Sequence, residues 1–129
     1  MSFSPDNALF HYDLGLAFFH LSRYDDAANE FMAVTALDPE LKRASSTLIL
    51  SAMTNLALCL EKQGNLTGAI ATLNPSVAIT TGILYNMGRF HALAKNPAEA
   101  IVYAQSAASL SPQSEDVIHL CGRVLMDLG

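Results

Sequence analysis

Four histidines (His11, His20, His91, His119) and two cysteines (Cys59, Cys121) are the side chains here that could ligate a metal or attack a substrate. A helical metal site needs a second ligand three or four residues further along the same face. None of the four histidines is followed by one. Cys59 with His91 is the one conceivable nucleophile pair. Cys59, however, lies inside an apolar helical pattern with no cationic neighbour to lower its pKa. There is no Gly-rich phosphate loop, no Gly-x-Ser-x-Gly and no His-Glu-x-x-His. The residue types therefore point away from an enzyme and from any metal or cofactor.

Chemistry of another kind is offered by Arg89 and Arg123, 34 residues apart, and by Asn55 and Asn86. A guanidinium grips a carboxylate through two parallel N–H donors. If stacked helices set them on one face, the arginines would form with Lys62 a local basic patch in a chain of net charge −5, which suits an acidic or C-terminal peptide. The competing reading is surface pairing with Glu61, Asp116 or Asp127. An Asn side chain donates and accepts at once, so stacked Asn can hold an extended backbone of any sequence. It can equally bond its own helix.

The elements that must position these groups follow from composition and periodicity. Apolar residues make up 51% of 129 residues and charged ones 15%, enough for a core and too apolar for disorder. The acidic balance excludes a nucleic-acid binder. The segment from Leu48 to Leu60 is the most apolar, but Ser51, Thr54 and Asn55 interrupt it and it is too short to span a bilayer. The first six residues lack a basic region and an apolar run, so no signal peptide is read there. Two reduced thiols and no export signal imply the cytoplasm.

Periodicity is helical throughout. Asp6 caps a helix over residues 7–20, and Asp25 and Asp26 open a second that ends before Asp38-Pro39. A long helix runs from Glu40 to Gln63 and stops at Gly64. A short one covers Leu66 to Leu73, another Ser76 to Lys95, a sixth starts at Pro97, and the last, 113–128, takes Ser114 as its cap. Seven helices joined by short turns read as antiparallel hairpins.

The chain also repeats. Gly15 is followed by Ala27, Phe31 and Pro39 at offsets of 12, 16 and 24; Gly88 by Ala100 and Pro112 at 12 and 24; Ala57 by Ala69 and Leu73 at 12 and 16. Cys121-Gly122 begins a fourth copy. On these residues the chain resembles the tetratricopeptide repeat family, with Leu14-Gly15, Phe18, Tyr24, Ala27, Phe31 and Pro39 as its fullest match and His11 where the motif often has Trp. The second copy departs from the pattern, with Ala57 for Gly and Thr81 for Pro, and the steps between copies are 42, 31 and 34 residues. The resemblance implies an all-α, right-handed α-α superhelix: a solenoid of three helical hairpins plus one extra helix. It implies one domain over residues 1–129, with repeats at 8–41, 50–80 and 81–114 and a partial copy at 115–129. It also implies a fragment of a longer chain, because Val117, Ile118, Leu120, Val124, Leu125 and Leu128 would lack a covering helix. Small Gly15, Ala57 and Gly88 would face Ala27, Ala69 and Ala100 at close helix approaches. His11 and His91 fall at packing positions.

In this family the first helix of each hairpin lines a concave groove. Carried onto this chain, the groove offsets imply a partner-binding set of Tyr12, Asp13, Phe19, Thr54, Asn55, Leu58, Lys62, Tyr85, Asn86, Arg89, His119 and Arg123. Tyr12, Phe19 and Tyr85 are the aromatic anchors of that set, unless they serve as core. The family's chaperone-type carboxylate clamp is matched only at its middle Asn, by Asn55: Tyr12, Leu16, Gly82 and Asn86 stand at its other positions, so that function is rejected. The expected function is a non-catalytic module that binds a segment of another protein and scaffolds an assembly. The alternatives are a regulatory or targeting domain of a larger enzyme, or a block that self-assembles into homo-oligomers through its C-terminal helix.

Overall fold

The structure, a computed structural model, describes residues 8–36, 46–73 and 80–128. Among them are seven helices and no strand: α1 (Ala8–His20), α2 (Tyr24–Ala36), α3 (Ser46–Lys62), α4 (Leu66–Thr72), α5 (Thr81–Leu93), α6 (Pro97–Leu110) and α7 (Glu115–Leu128). The expected cap at Asp6, the exit at Asp38-Pro39, the first residues of the long helix and the opening at Ser76 lie outside the described residues. The chain divides into two compact units, residues 1–72 and 73–129.

In the first unit α1 packs on α2, α2 on α3 and α3 on α4. The core is Ala27, Ala28, Phe31, Val34, Ile49, Ala52, Leu56 and Cys59. At Gly15 α1 lies close against a side chain of α2. A Cβ added there would lie 2.7 Å from Cε1 of Phe31, whose ring is wholly buried. In the second unit α5 packs on α6, and α7 folds back onto both. Gly88 has the corresponding role: a Cβ there would meet Leu120 Cδ2 at 3.1 Å, the Ala100 carbonyl oxygen at 3.3 Å and the Ala104 nitrogen at 3.4 Å. Ala57, Ala69 and Ala100 are fully buried, as small facing residues must be.

Two expectations need correction. Thr80 is extended (φ −127°, ψ 158°) and its hydroxyl accepts from the Ile83 N–H. This side-chain cap starts α5 at Thr81, later than a helix running on from Ser76. Val117, Leu120 and Val124 are not bare but buried, because α7 lays this stripe against α5 and α6. Only the adjacent stripe of Ile118, Leu125 and Leu128, with Met126, is exposed.

Three helix ends share a device that residue type discloses only at Gly64. Ser22, Gly64 and Lys95 all have positive φ, at 62°, 85° and 67°. In each case the next N–H reaches back across the last turn: Arg23 to the Phe18 carbonyl (2.9 Å), Asn65 to Leu60 (2.8 Å), Asn96 to His91 (2.8 Å). These are Schellman caps. Glycine carries this conformation freely, whereas a side chain costs about 1–2 kcal/mol. Ser22→Gly should therefore raise stability by about 1 kcal/mol, read as a higher urea midpoint at unchanged slope; a lower midpoint would contradict the cap.

Candidate partner-binding faces

The first helices carry the expected residues in different surroundings. On α1, Asp13 is exposed, while Tyr12 and Phe19 are half-buried against the first core. The Tyr12 ring sits 5.8 Å from that of Phe31, and Phe19 meets Tyr24 edge to face at 5.2 Å. On α3, Thr54 bonds the Leu50 carbonyl (2.9 Å), Leu58 is half-buried and Lys62 exposed. Asn55 donates to the Ser51 carbonyl (2.9 Å) and to the Tyr12 hydroxyl (3.2 Å), so one amide ties α3 to α1.

On α5, Tyr85 is half-buried against both cores of the second unit. Asn86 repeats the bond of Asn55, donating to the carbonyl four residues back, that of Gly82, at 3.0 Å. Both amides thus spend a donor on their own helix, as an Asn in mid-helix tends to do. Arg89 Nη2 lies 3.4 Å from Asn86 Oδ1, and its guanidinium carbon lies 5.1 Å from the centre of the Phe90 ring. His119 and Arg123 are exposed on α7.

Arg89 and Arg123 come together. They line one cleft of about 250 Å³ with Ala92, Leu93, Lys95, Leu120 and Asp127. Three cations and one carboxylate face a floor of small and apolar side chains. Of these only Arg89 and Arg123 belong to the partner-binding set that the repeat implies; Lys95 comes from the cap at the end of α5. No residue type marked it, but its place seven residues after Gly88, where Gly64 follows Ala57 and Ser22 follows Gly15, was a usable signal.

The histidines and cysteines are held by the fold. His11 Nδ1 and Glu30 Oε1, both mostly buried, are 2.6 Å apart and join α1 to α2. His91 stacks parallel on Tyr103 with centroids 5.4 Å apart. Unlike a satisfied core histidine, its Nδ1 is buried and unbonded among the described residues; Glu99 Oε2 comes to 3.4 Å outside hydrogen-bond geometry. No group of three His, Cys, Asp or Glu converges among the described residues as a metal would require. No helix of theirs is long and apolar enough to cross a membrane.

Cys59 is fully buried, and that burial pushes its thiol from 9.0 up to about 11. The folded state then holds the proton more tightly than the unfolded one. Its contribution is complete below pH 9.0 and declines as pH rises towards about 11. A thiol reagent at mildly alkaline pH should modify half-buried Cys121 first and reach Cys59 only after denaturation. Equal labelling of both in the folded chain would contradict the packing of α3.

With this geometry in view, the comparisons with known proteins agree. Tetratricopeptide repeat patterns match residues 2–42 and 51–74. No curated protein sequence matches the chain. Among solved structures, a chain of the APC/C hetero-tetramer Cut9–Hcn1 superposes with a TM-score of 0.84 at 21% identity, over 94% of this chain but 24% of its own length. The first tetratricopeptide domain of Spaghetti (RPAP3), bound to the HSP90 peptide SRMEEVD, gives 0.83 at 16% identity, covering 97% of this chain and 95% of that one. The Yersinia enterocolitica type III secretion chaperone SycD, in complex with a peptide of the translocator YopD, gives 0.75 at 20%, covering 97% and 92%. At such identities the likeness is one of fold. Repeated small residues at the helix approaches, an all-helical chain and these matches agree: the chain belongs to the tetratricopeptide repeat family.

Proposed function

We propose that this chain is a non-catalytic interaction module. It takes an extended segment of another protein, one carrying acidic residues, along the faces of its first helices and holds it in an assembly. The observation that carries this reading is the Arg89–Arg123 cleft: two arginines one repeat apart, brought to one lining in an acidic chain. Tyr12, Asp13, Phe19, Thr54, Asn55, Leu58 and Lys62 are the proposed contacts in the first unit; Tyr85, Asn86 and His119 join the arginines in the second. Neighbours of the same fold holding an HSP90 peptide and a YopD peptide support a protein ligand. Buried Cys59, with its raised pKa, and His91, stacked in a core, support the non-catalytic part. Free Cys59 and Cys121 accord with a reducing, cytoplasmic setting.

The test is capture of partners by the native chain against an Arg89→Ala/Arg123→Ala form of equal helicity. The reading expects a partner lost from the variant, with binding that weakens as salt rises. A partner retained equally by both would remove the arginines from the site. Tyr85→Ala is a poorer probe, because Tyr85 also supports both cores of its unit.

A second reading, self-association through α7, is favoured by one observation. Ile118, Leu125, Met126 and Leu128 are 55%, 54%, 81% and 47% exposed along one helix. Mass measured across concentration tests it: a monomer at every concentration would retire it, and a dimer dissolved by Leu125→Glu would support it.

A further inference from the structure

We propose that the outer face of α7 seats a helix of a partner protein, laid antiparallel with two alanines four residues apart over Gly122. This face stands apart from the Arg89–Arg123 cleft. It is the face of the second reading above, given a different occupant.

Gly122 is the starting point. A glycine inside a helix weakens it relative to alanine, and a close approach of another element is what offsets that loss. Gly15 and Gly88 have such approaches: a Cβ would lie 2.7 Å from the Phe31 ring at the first and 3.3 Å from the Ala100 carbonyl oxygen at the second. Gly122 follows Gly88 by 34 residues, one step of the repeat. Yet a Cβ at Gly122 would meet nothing within 4 Å, and the residue is exposed. Among the described residues, nothing uses the bare backbone there.

The surface around it is apolar. Ile118, Gly122 and Leu125 fall at i, i+4 and i+7 on α7 and make one stripe. Met126 and Leu128 flank it, and Met126 is 81% exposed. This stripe is separate from the buried one of Val117, Leu120 and Val124, which α5 and α6 cover. An apolar ridge with a gap at its centre suits a helix, which can set small residues into the gap and larger ones against its ends.

The form of the occupant is given by α6. Over Gly88 that helix brings the backbone of Ala100 and Ala104, both fully buried. An equal approach at Gly122 needs small residues at the same spacing. Charge then gives the direction. α7 opens with Glu115 and Asp116 and has no basic residue in its last turn. An antiparallel helix sets its C-terminal end beside those carboxylates, where basic side chains meet both the acidic turn and their own helix dipole favourably. A second α7 lacks these features. Antiparallel, its end without basic residues meets Glu115; parallel, the two acidic turns meet each other.

The probe is a labelled peptide SEELLQKALEKAQRLKK, acetylated and amidated, with its alanines four apart and its end basic. Counterparts carry Leu for both alanines, or Gln for the last three basic residues. Fluorescence anisotropy reads affinity, and the methyl NMR signals of Ile118 and Leu125 read location. The Leu peptide should bind about tenfold more weakly, because its side chains cannot enter the gap. The Gln peptide should lose about threefold and show a flatter salt dependence. Gly122→Leu should raise Tm, since the site is open and the helix gains propensity, while weakening the parent peptide about tenfold. Equal binding of the alanine and leucine peptides, or unchanged affinity in Gly122→Leu, would overturn the proposal. So would the absence of binding, with the Ile118 and Leu125 signals unmoved. A dimer whose α7 excludes the peptide would give the face to a second copy instead. Arg89→Ala/Arg123→Ala should bind the peptide as the native chain does; loss of binding there would move the helix to the cleft.

Discussion

Phe31→Ala lowers the stability of the first unit by about 3–5 kcal/mol, the usual cost of emptying a fully buried aromatic site. Phe31 has no exposed surface, packs within the core of Ala27, Val34, Ile49 and Ala52, and holds its ring against the bare α1 backbone at Gly15. The two positions are therefore coupled. Gly15→Ala alone gains about 1 kcal/mol of helix propensity but places a Cβ 2.7 Å from a ring that has nowhere to go, so the net effect is a loss. Combined with Phe31→Leu, the added methyl enters space the ring has left, and the double variant should lose less than the sum of the singles by about 1 kcal/mol or more. Urea unfolding followed by far-UV circular dichroism measures all four corners of that cycle. Strict additivity would mean that Gly15 and Phe31 do not share the contact described here.

Gly88→Val carries the second large effect, about 3 kcal/mol. Its neighbours differ in kind from those of Gly15. A Cβ at residue 88 meets the Leu120 side chain, which can turn aside, but also the Ala100 carbonyl and the Ala104 nitrogen, which belong to the α6 backbone. A branched side chain must push the helices apart. Gly88→Ala should be nearly neutral, as propensity gained offsets crowding of a few tenths of an ångström. The consequence reaches the cleft, because Leu120 sits both against Gly88 and in the lining with Arg89 and Arg123. Gly88→Val should therefore weaken partner binding as well as stability. If it leaves thermal unfolding unchanged, the close approach of α5 and α6 is wrong.

Much of this fold is legible in the chain because its constraints are local or periodic. Pro97, Gly64 and Ser114 mark helix limits by fixed φ, free φ and a side-chain cap: Pro97 opens α6, Gly64 follows α3 with φ 85°, and Ser114 Oγ lies 3.4 Å from the Val117 N–H. The Gly and Ala positions recur because close helix approaches recur. What was not legible depends on local caps that residue type does not mark and on contacts between elements. The start of α5 is decided by the Thr80 hydroxyl, which competes with continued helix. Counting apolar residues on α7 gave one bare face, where two adjacent stripes exist and α5 and α6 cover the first. The left-handed caps at Ser22 and Lys95 carry no residue-type signal, since neither is Gly or Asn. At the cleft, family offsets placed Arg89 and Arg123 on one face, but only the turn after α5 reveals Lys95 beside them.

The central claim is that the first-helix face takes a segment of another protein. Photo-crosslinking from two exposed positions on different helices tests it most directly. A photoreactive residue replaces Leu93, in the α5–α7 cleft, or Val102 on α6, which is 59% exposed and lies outside it. The prediction is that position 93 links to one segment of a partner, bearing an acidic residue near the link, and that Arg123→Ala diminishes the product while position 102 yields none. Crosslinking from position 102 alone, or equally from both, would place the interaction elsewhere on the chain and contradict the account.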